Sequence, residues 1–393
     1  MTTPTIQHLR IHLYGTQGSG STFPSRSERR AFQKRADVEL LKYVFEDLSR
    51  LADDRGRISA RVEDILGGTI GSRTLAAYAE RFDVPEPRVY GGWTTCVRLE
   101  TADGYDIVLD CGSGFRNCAR DLQAKWGGQP ERHLYLFGSH SHLDHTEGFD
   151  QAAVCFDPRN HLHIYGNDQF LRALDLNLGI FSRQVAQSVQ GVQTPIFYGV
   201  MPATFEACTI GAIPAEAAGR PSLKGDVHPL DAPIRLGATA ITPFEMHHPA
   251  PCLAYRVEHG GRAFVFCTDH ELWHGDPAHP NCARSLEAEA RLIAHATDAD
   301  LLYRDGQYLR AEYDGIMGIG GSGAVPRVGW GHSCIEDVIE MAAACRVRHT
   351  LIGHHDPNRD WSERNWMDDS MLRRTGDGEH RLEFARAETV FDL

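Results

Sequence analysis

Short runs of apolar residues punctuate this chain and predict its elements. Leu9 to Tyr14 alternates apolar and polar side chains, the period of a half-buried strand, and breaks at Gly15. Thr95 to Leu99 and Ile107 to Leu109 predict the next two strands. The second of these stops at the turn-rich Asp110-Cys111-Gly112-Ser113-Gly114. Leu134 to Phe137 is a fourth short run. Later ones are Leu162 to Tyr165, Ala238 to Thr242, Ala254 to Val257, Ala263 to Cys267, Leu301 to Arg304 and Thr350 to Ile352. Helical patterns lie between several of them, which predicts sheets covered by helices.

Two stretches read as insertions into one large domain over 1–393. Residues 25–88 are charged and helical in period. Ser25 and Glu28 have capping-box spacing, and Phe32, Leu40, Leu41, Val44, Phe45, Leu48 and Leu51 recur at helical intervals. Residues 167–232 open with a helical pattern at Leu171, Leu174, Leu176 and Leu178, then pass into a Gly- and Pro-containing segment with no assignable period.

Composition narrows the class. Lys and Arg number 40 against 53 Asp and Glu, a net charge of −13, which speaks against a long nucleic acid as partner. A small anionic substrate stays open, because a metal site makes its own positive field. No stretch approaches the roughly 18 apolar residues of a membrane helix, and the N-terminus has no basic start before an apolar run. The ten cysteines are scattered without a C-x-x-C pair, the pattern of reduced thiols packed in a cytoplasmic core.

The chemistry concentrates in Ser139-His140-Ser141-His142-Leu143-Asp144-His145, directly after a predicted strand. Imidazole and carboxylate are the donors that zinc and similar ions prefer. His140 and His142, two apart, can face one ion from an extended turn. Asp144 and His145 can address a second ion after a bend. Asp269 and His354 each close an apolar strand, and His248 follows another. His332 precedes Ser333 and Glu336, a second capping-box spacing, and Ile335, Val338, Ile339 and Ala342 follow at helical intervals. This places His332 before a predicted helix N-terminus, which suits an anion.

These segments resemble the metallo-β-lactamase superfamily, and within it the phosphodiesterase branch of ribonuclease Z and the cyclic phosphodiesterases. The H-x-H-x-D-H loop is specific to the superfamily. His248-Pro249-Ala250-Pro251-Cys252-Leu253-Ala254-Tyr255-Arg256 is similar to that branch's ligand histidine and the strand after it. Thr268-Asp269 is similar to its bridging aspartate, Gly331-His332-Ser333 to its H-S element, and Gly353-His354 to its last ligand. The resemblance runs with gaps from Tyr14-Gly15-Thr16 to His354.

It implies a four-layer αββα sandwich with a helical insertion, holding two divalent ions, with zinc the first expectation and manganese or iron also suited. One ion would lie on His140, His142, His248 and Asp269, the other on Asp144, His145, Asp269 and His354. The neighbouring His247 and His355 fit the spacings less well. Asp144 would also orient the attacking water, shared between the ions as hydroxide, and His332 would serve the phosphate. The implied activity is hydrolysis of a small cyclic or linear phosphodiester, such as a cyclic nucleotide. The alternatives are a ribonuclease Z-like nuclease, a lactonase or β-lactamase-type hydrolase, and a non-catalytic scaffold. A homodimer is implied by the resemblance alone. The chain departs from the branch at Gly138-Ser139, where a Thr before the first ligand is common, and in the 25–88 insertion.

Overall fold

The computed structural model describes residues 8–84, 88–185, 195–212, 227–372 and 380–393. Two compact units result, Met1–Phe23 with Tyr90–Leu393, and Pro24–Val89.

The first unit is built on two sheets. One orders its strands β15-β1-β2-β3-β4-β5-β6-β7. In chain order these are β1 (Leu9–Gly15), β2 (Cys96–Thr101), β3 (Asp106–Leu109), β4 (Arg132–Phe137), β5 (Asn160–Gly166), β6 (Thr204–Ile210), β7 (Val227–His228) and, at the C-terminus, β15 (Val390–Asp392). The other orders β14-β13-β12-β11-β10-β9-β8. Its strands are β8 (Ile234–Leu236), β9 (Thr239–Met246), β10 (Cys252–His259), β11 (Arg262–Cys267), β12 (Leu301–Asp305), β13 (His349–Gly353) and β14 (Arg381–Phe384).

Period-2 alternation sorts the side chains into layers. In β4, Leu134 and Leu136 face a core shared with Cys118 and Leu122 of α4 (Phe115–Trp126) and Phe170 and Leu174 of α5 (Asp168–Leu178). Phe137, one residue on, faces the opposite sheet, where Leu253, Tyr255, Phe264 and Phe266 meet Ile11, Leu99 and Leu109. In β11, Val265 and Cys267 turn outward onto Leu292 of α6 (Pro280–Ala296) and Met341 of α8 (Ile335–Cys345). Helix, sheet, sheet, helix is the four-layer αββα sandwich expected from the sequence.

The ten apolar runs read from the sequence all fall on strands. Five strands went unread: β6 and β7 within the unassigned 167–232 stretch, and β8, β14 and β15. These are short or peripheral, and both β14 and β15 form a sheet edge. Within 167–232, residues 186–194 and 213–226 lie outside the described residues.

The second unit holds α1 (Arg26–Arg50), α2 (Val62–Leu66) and α3 (Ser72–Ala79). The Ser25–Glu28 capping box forms: Ser25 Oγ accepts from the Glu28 N–H at 3.3 Å, and Glu28 Oε2 accepts from the Ser25 N–H at 2.7 Å.

The second expected capping box does not form. The N-cap of α8 is Cys334, and no side chain caps it. The Ser333 hydroxyl donates instead to the His270 carbonyl at 2.6 Å, and the Glu336 carboxylate accepts from the Arg310 N–H. Tertiary partners outcompete the local pairing, but His332 still precedes the helix, two residues before its N-cap Cys334. None of the ten cysteines is in a disulfide, but Cys208 and Cys282 are only half-buried, against the expectation that all ten pack in the core. No helix among the described residues is long and apolar enough to cross a membrane.

Candidate metal centre

Chain direction brings the candidate ligands together. β3, β4 and β5 run parallel, as do β11, β12 and β13, so their C-terminal ends reach one edge of the sandwich. His140 follows β4, Asp269 follows β11 and His354 follows β13. His248 lies in the turn joining β9 to β10, at that same edge.

Asp269 occupies the middle. Its Oδ2 is 3.5 Å from His140 Nε2 and 3.8 Å from His248 Nε2. Its Oδ1 is 3.2 Å from both His145 Nε2 and His354 Nε2. His142 Nδ1 completes the first group at 3.2 Å from His248 Nε2. Asp144 Oδ2 completes the second, 3.2 Å from His145 Nε2 and 3.1 Å from His354 Nε2. Within His140, His142, His248 and Asp269, and within Asp144, His145 and His354, the donor atoms all lie within 4.8 Å of one another. One carboxylate thus lends an oxygen to each group.

The donors fit a pair of ions. Tetrahedral bonds of about 2.0–2.1 Å hold ligand atoms about 3.3 Å apart, close to the spacings above. His140 Nε2 and His145 Nε2 are sealed from solvent and have no hydrogen-bond partner among the described residues. Such atoms are costly to bury unless something binds them. Burial and the neighbouring histidines hold His140 neutral, well below the usual imidazole range, although Asp269 opposes this. Burial likewise takes His248 down to about 3, against the pull of Asp269. Neutral imidazole is the form that ligates; His145 is instead pushed up despite its burial by Asp144, Asp269 and Asp110, so an ion there would displace its proton. Asp144 and Asp269 stay ionised, because His145 and His354 outweigh the cost of burial.

An outer ring fixes these donors. His145 Nδ1 donates to Asp110 Oδ2 at 2.7 Å, and the Ser139 N–H and hydroxyl donate to Asp110 at 2.6 and 2.8 Å. Ser139 Oγ also meets His140 Nδ1 at 3.1 Å, so the two ring Nε2 atoms turn inward. His248 Nδ1 donates to the Gly331 carbonyl at 2.9 Å, and the Ser19 N–H donates to Asp144 Oδ2 at 2.7 Å. His354 has the left-handed φ of 55°, its N–H accepted by the Tyr303 hydroxyl at 3.1 Å. The neighbouring histidines serve elsewhere: His247 Nδ1 bonds the Glu271 carbonyl, and His355 Nε2 the Ala385 carbonyl.

His332 stands beside both groups, 6 % exposed, its ring stacked on His354 at 4.7 Å. Its Nδ1 donates to Asp305 Oδ2 at 3.0 Å. Burial disfavours its imidazolium, but Asp305, then Asp269 and Asp144, push it up to about 9. The Gly329–Gly331 backbone before it is clamped by the buried Glu271. Glu271 Oε1 accepts from the Tyr313 hydroxyl at 2.5 Å and the Gly329 N–H at 2.7 Å, and Oε2 accepts from the Gly331 N–H at 2.9 Å.

Asp110, Asp305 and Glu271 escaped the reading of the sequence. Asp110 and Asp305 carry the signal that exposed Asp269, a carboxylate closing an apolar strand, so the first two were findable. A further cluster of His274, Cys334 and Asp337 already contains a cation: Arg310 Nη2 lies 2.6 Å from both His274 Nε2 and Asp337 Oδ1.

With fold and site in hand, comparison places the chain. It belongs to the beta-lactamase superfamily, whose domain profile matches residues 105–355, a span containing every candidate ligand above. The architecture is the metallo-β-lactamase fold, in a superfamily made up largely of hydrolytic metalloenzymes. Among solved structures it is similar to Zn(2+)-bound PqqB from Methylobacterium extorquens, at 12% identity and TM-score 0.51, over 98% of this chain and 100% of that one. The metallo-beta-lactamase fold protein YhfI from Bacillus subtilis matches at 14% identity and TM-score 0.46, over 98% and 99%. The short form of human tRNase Z matches at 14% identity and TM-score 0.49, over 97% and 98%. These likenesses concern the fold. No curated protein matches this chain in sequence.

Proposed function

We propose that this protein is a phosphodiesterase acting on a small cyclic or linear phosphodiester such as a cyclic nucleotide. The observation that carries the reading is His332, a buried imidazole beside both ligand groups, backed by Asp305 at 3.0 Å. A net charge of −13 favours a small substrate over a long nucleic acid.

His140, His142, His248 and Asp269 would hold one divalent ion, and Asp144, His145, His354 and Asp269 the other; the nitrogen and oxygen donors suit zinc. Two such ions lower the pKa of water and neutralise charge that grows on phosphoryl oxygens. Asp144, fixed by the Ser19 N–H, orients the attacking water. The water oxygen, one of its protons released to solvent, bonds to phosphorus as the bond to the leaving oxygen breaks. His332 Nε2, which has no hydrogen-bond partner among the described residues, gives its proton to that oxygen. Asp305 holds Nδ1 and stabilises the imidazolium needed for this. The product is a phosphomonoester and a free hydroxyl.

The test is a panel of bis-p-nitrophenyl phosphate, cyclic nucleotides and a lactone, with metal analysis of the same preparation. Diester cleavage with near two ions per chain is the expected result. Lactone turnover without diester turnover overturns the reading, and fewer than one ion per chain points to a scaffold.

A further inference from the structure

Six arginines are buried among the described residues: Arg98, Arg132, Arg304, Arg327, Arg359 and Arg364. Five have oxygen partners. Arg98 bonds Asp106, Arg132 bonds Asp157, Arg304 bonds Glu289, Arg359 bonds Glu312, and Arg364 bonds the Gln17 side chain. Arg327 is 9 % exposed, yet its guanidinium makes no hydrogen bond or ion pair among the described residues. Its nitrogens are absent from the atoms sealed without a partner, so they keep an opening to solvent. A charge withdrawn this far from water without a counter-charge is costly. The arrangement makes sense where a ligand supplies the anion.

The surroundings say which anion it meets. The guanidinium carbon lies 4.1 Å from the centre of the Trp330 ring and 5.8 Å from that of Tyr308. Aromatic contact engages the faces of the guanidinium and leaves its N–H groups, which point outward in plane, for an acceptor. Tyr308 in turn packs edge-on against His332 at 5.9 Å. The Tyr308 hydroxyl also has no hydrogen bond among the described residues, and it too is not sealed. The segment cannot drift: the Arg327 N–H donates to the Tyr313 carbonyl at 2.8 Å, and Glu271 clamps Gly329 and Gly331.

We infer that Arg327, with the Tyr308 hydroxyl, forms an anion subsite beside His332 that binds the non-bridging oxygens of a phosphoryl group. The inference rests on the phosphodiesterase reading and gives the same site its substrate clamp. A planar fork of N–H donors matches tetrahedral phosphoryl oxygens and would do little for a neutral lactone.

The experiment uses the metal-loaded protein, with inorganic phosphate as the calorimetric probe and bis-p-nitrophenyl phosphate as the kinetic one. Arg327→Met should weaken phosphate binding roughly 10- to 100-fold, the scale of a lost charge-assisted pair, and raise KM, with metal content unchanged. Arg327→Lys should fall between the two. Millimolar guanidinium should restore phosphate binding to Arg327→Ala, which a purely structural role would not allow. If Arg327→Met does not fold, Tyr308→Phe should still weaken phosphate binding by a few-fold. Phosphate bound equally by wild type and Arg327→Met, or by wild type and Tyr308→Phe where the former cannot be made, overturns the subsite while leaving the phosphodiesterase reading standing. Wild type that binds phosphate through Arg327 yet cleaves no diester overturns that reading and leaves the subsite.

Discussion

Asp305 closes β12 and accepts the Nδ1 hydrogen of His332 at 3.0 Å, from 27 positions earlier in the chain. This single bond fixes the imidazole's tautomer and turns its Nε2 toward open space. Asp305→Asn keeps the shape and removes the charge that stabilises the imidazolium. His332→Gln should lower kcat by about 10²–10⁴, the usual span for a lost proton donor. Asp305→Asn should cost a large part of that with little change in KM. Because the two act as a unit, the double variant should be no slower than His332→Gln alone. Additive losses in steady-state kinetics would separate Asp305 from the proton donor.

Asp110 tests the outer ring of the centre. It is fully buried and serves three donors at once, from His145 and Ser139. Asp110→Asn turns one acceptor oxygen into a donor that faces the His145 N–H. Metal affinity should fall about 10- to 100-fold, the usual cost of removing such a partner. Competition with a chelator of known affinity measures it, and unchanged retention of metal would contradict the role.

Gly18 makes room for His354, the last candidate ligand, by having no side chain. A Cβ at this position would lie 2.2 Å from His354 Nδ1. The His354 ring is buried and its backbone is held by the Tyr303 hydroxyl, so the ring cannot simply swing aside. Gly18→Ala should therefore displace His354, and metal analysis should show loss of about one ion per chain with the circular dichroism spectrum retained. Full metal content would show that the ring adapts.

Stability should fall in acid through Glu289, which pairs with Arg304 and His270. Burial raises its pKa, but Arg304 and His270 outweigh burial and bring it from the ordinary 4.5 to about 2. A carboxyl lowered on folding contributes stability above its unfolded value and loses it as pH falls through the folded one. The expected contribution is about 3 kcal/mol at neutral pH, fading between about pH 5 and 2. Urea unfolding of wild type and Glu289→Gln should show a gap at pH 7 that narrows steadily toward pH 3. A gap independent of pH would assign the effect to packing.

Much of this was legible beforehand, for identifiable reasons. The apolar runs of β4, β11 and β13 show plainly because a strand buried on both faces must be apolar throughout. Their terminal polar residues then stand out, as His140, Asp269 and His354 did. The β14 and β15 strands were unreadable because Arg381–Phe384 and Val390–Asp392 are short edges, held by pairing to β13 and β1 rather than by their own pattern. The Ser333–Glu336 spacing misled because it describes a local pairing, and His270 and Arg310 offered those side chains other partners.

By itself the sequence determined the candidate donors, the H-x-H-x-D-H loop and the strands that carry it, because residue type and period are local properties. The tertiary structure supplied the distances by which Asp269 reaches both groups and the partners that turn His354 inward and His355 away, which the sequence had offered only as expectations, and it alone found Arg327 buried against Trp330 and Tyr308 without a counter-charge. These depend on distances between atoms more than a hundred residues apart, or on which neighbours leave a polar group unsatisfied. Such distances are set by how two sheets and their helices pack, and no short stretch of sequence carries that information.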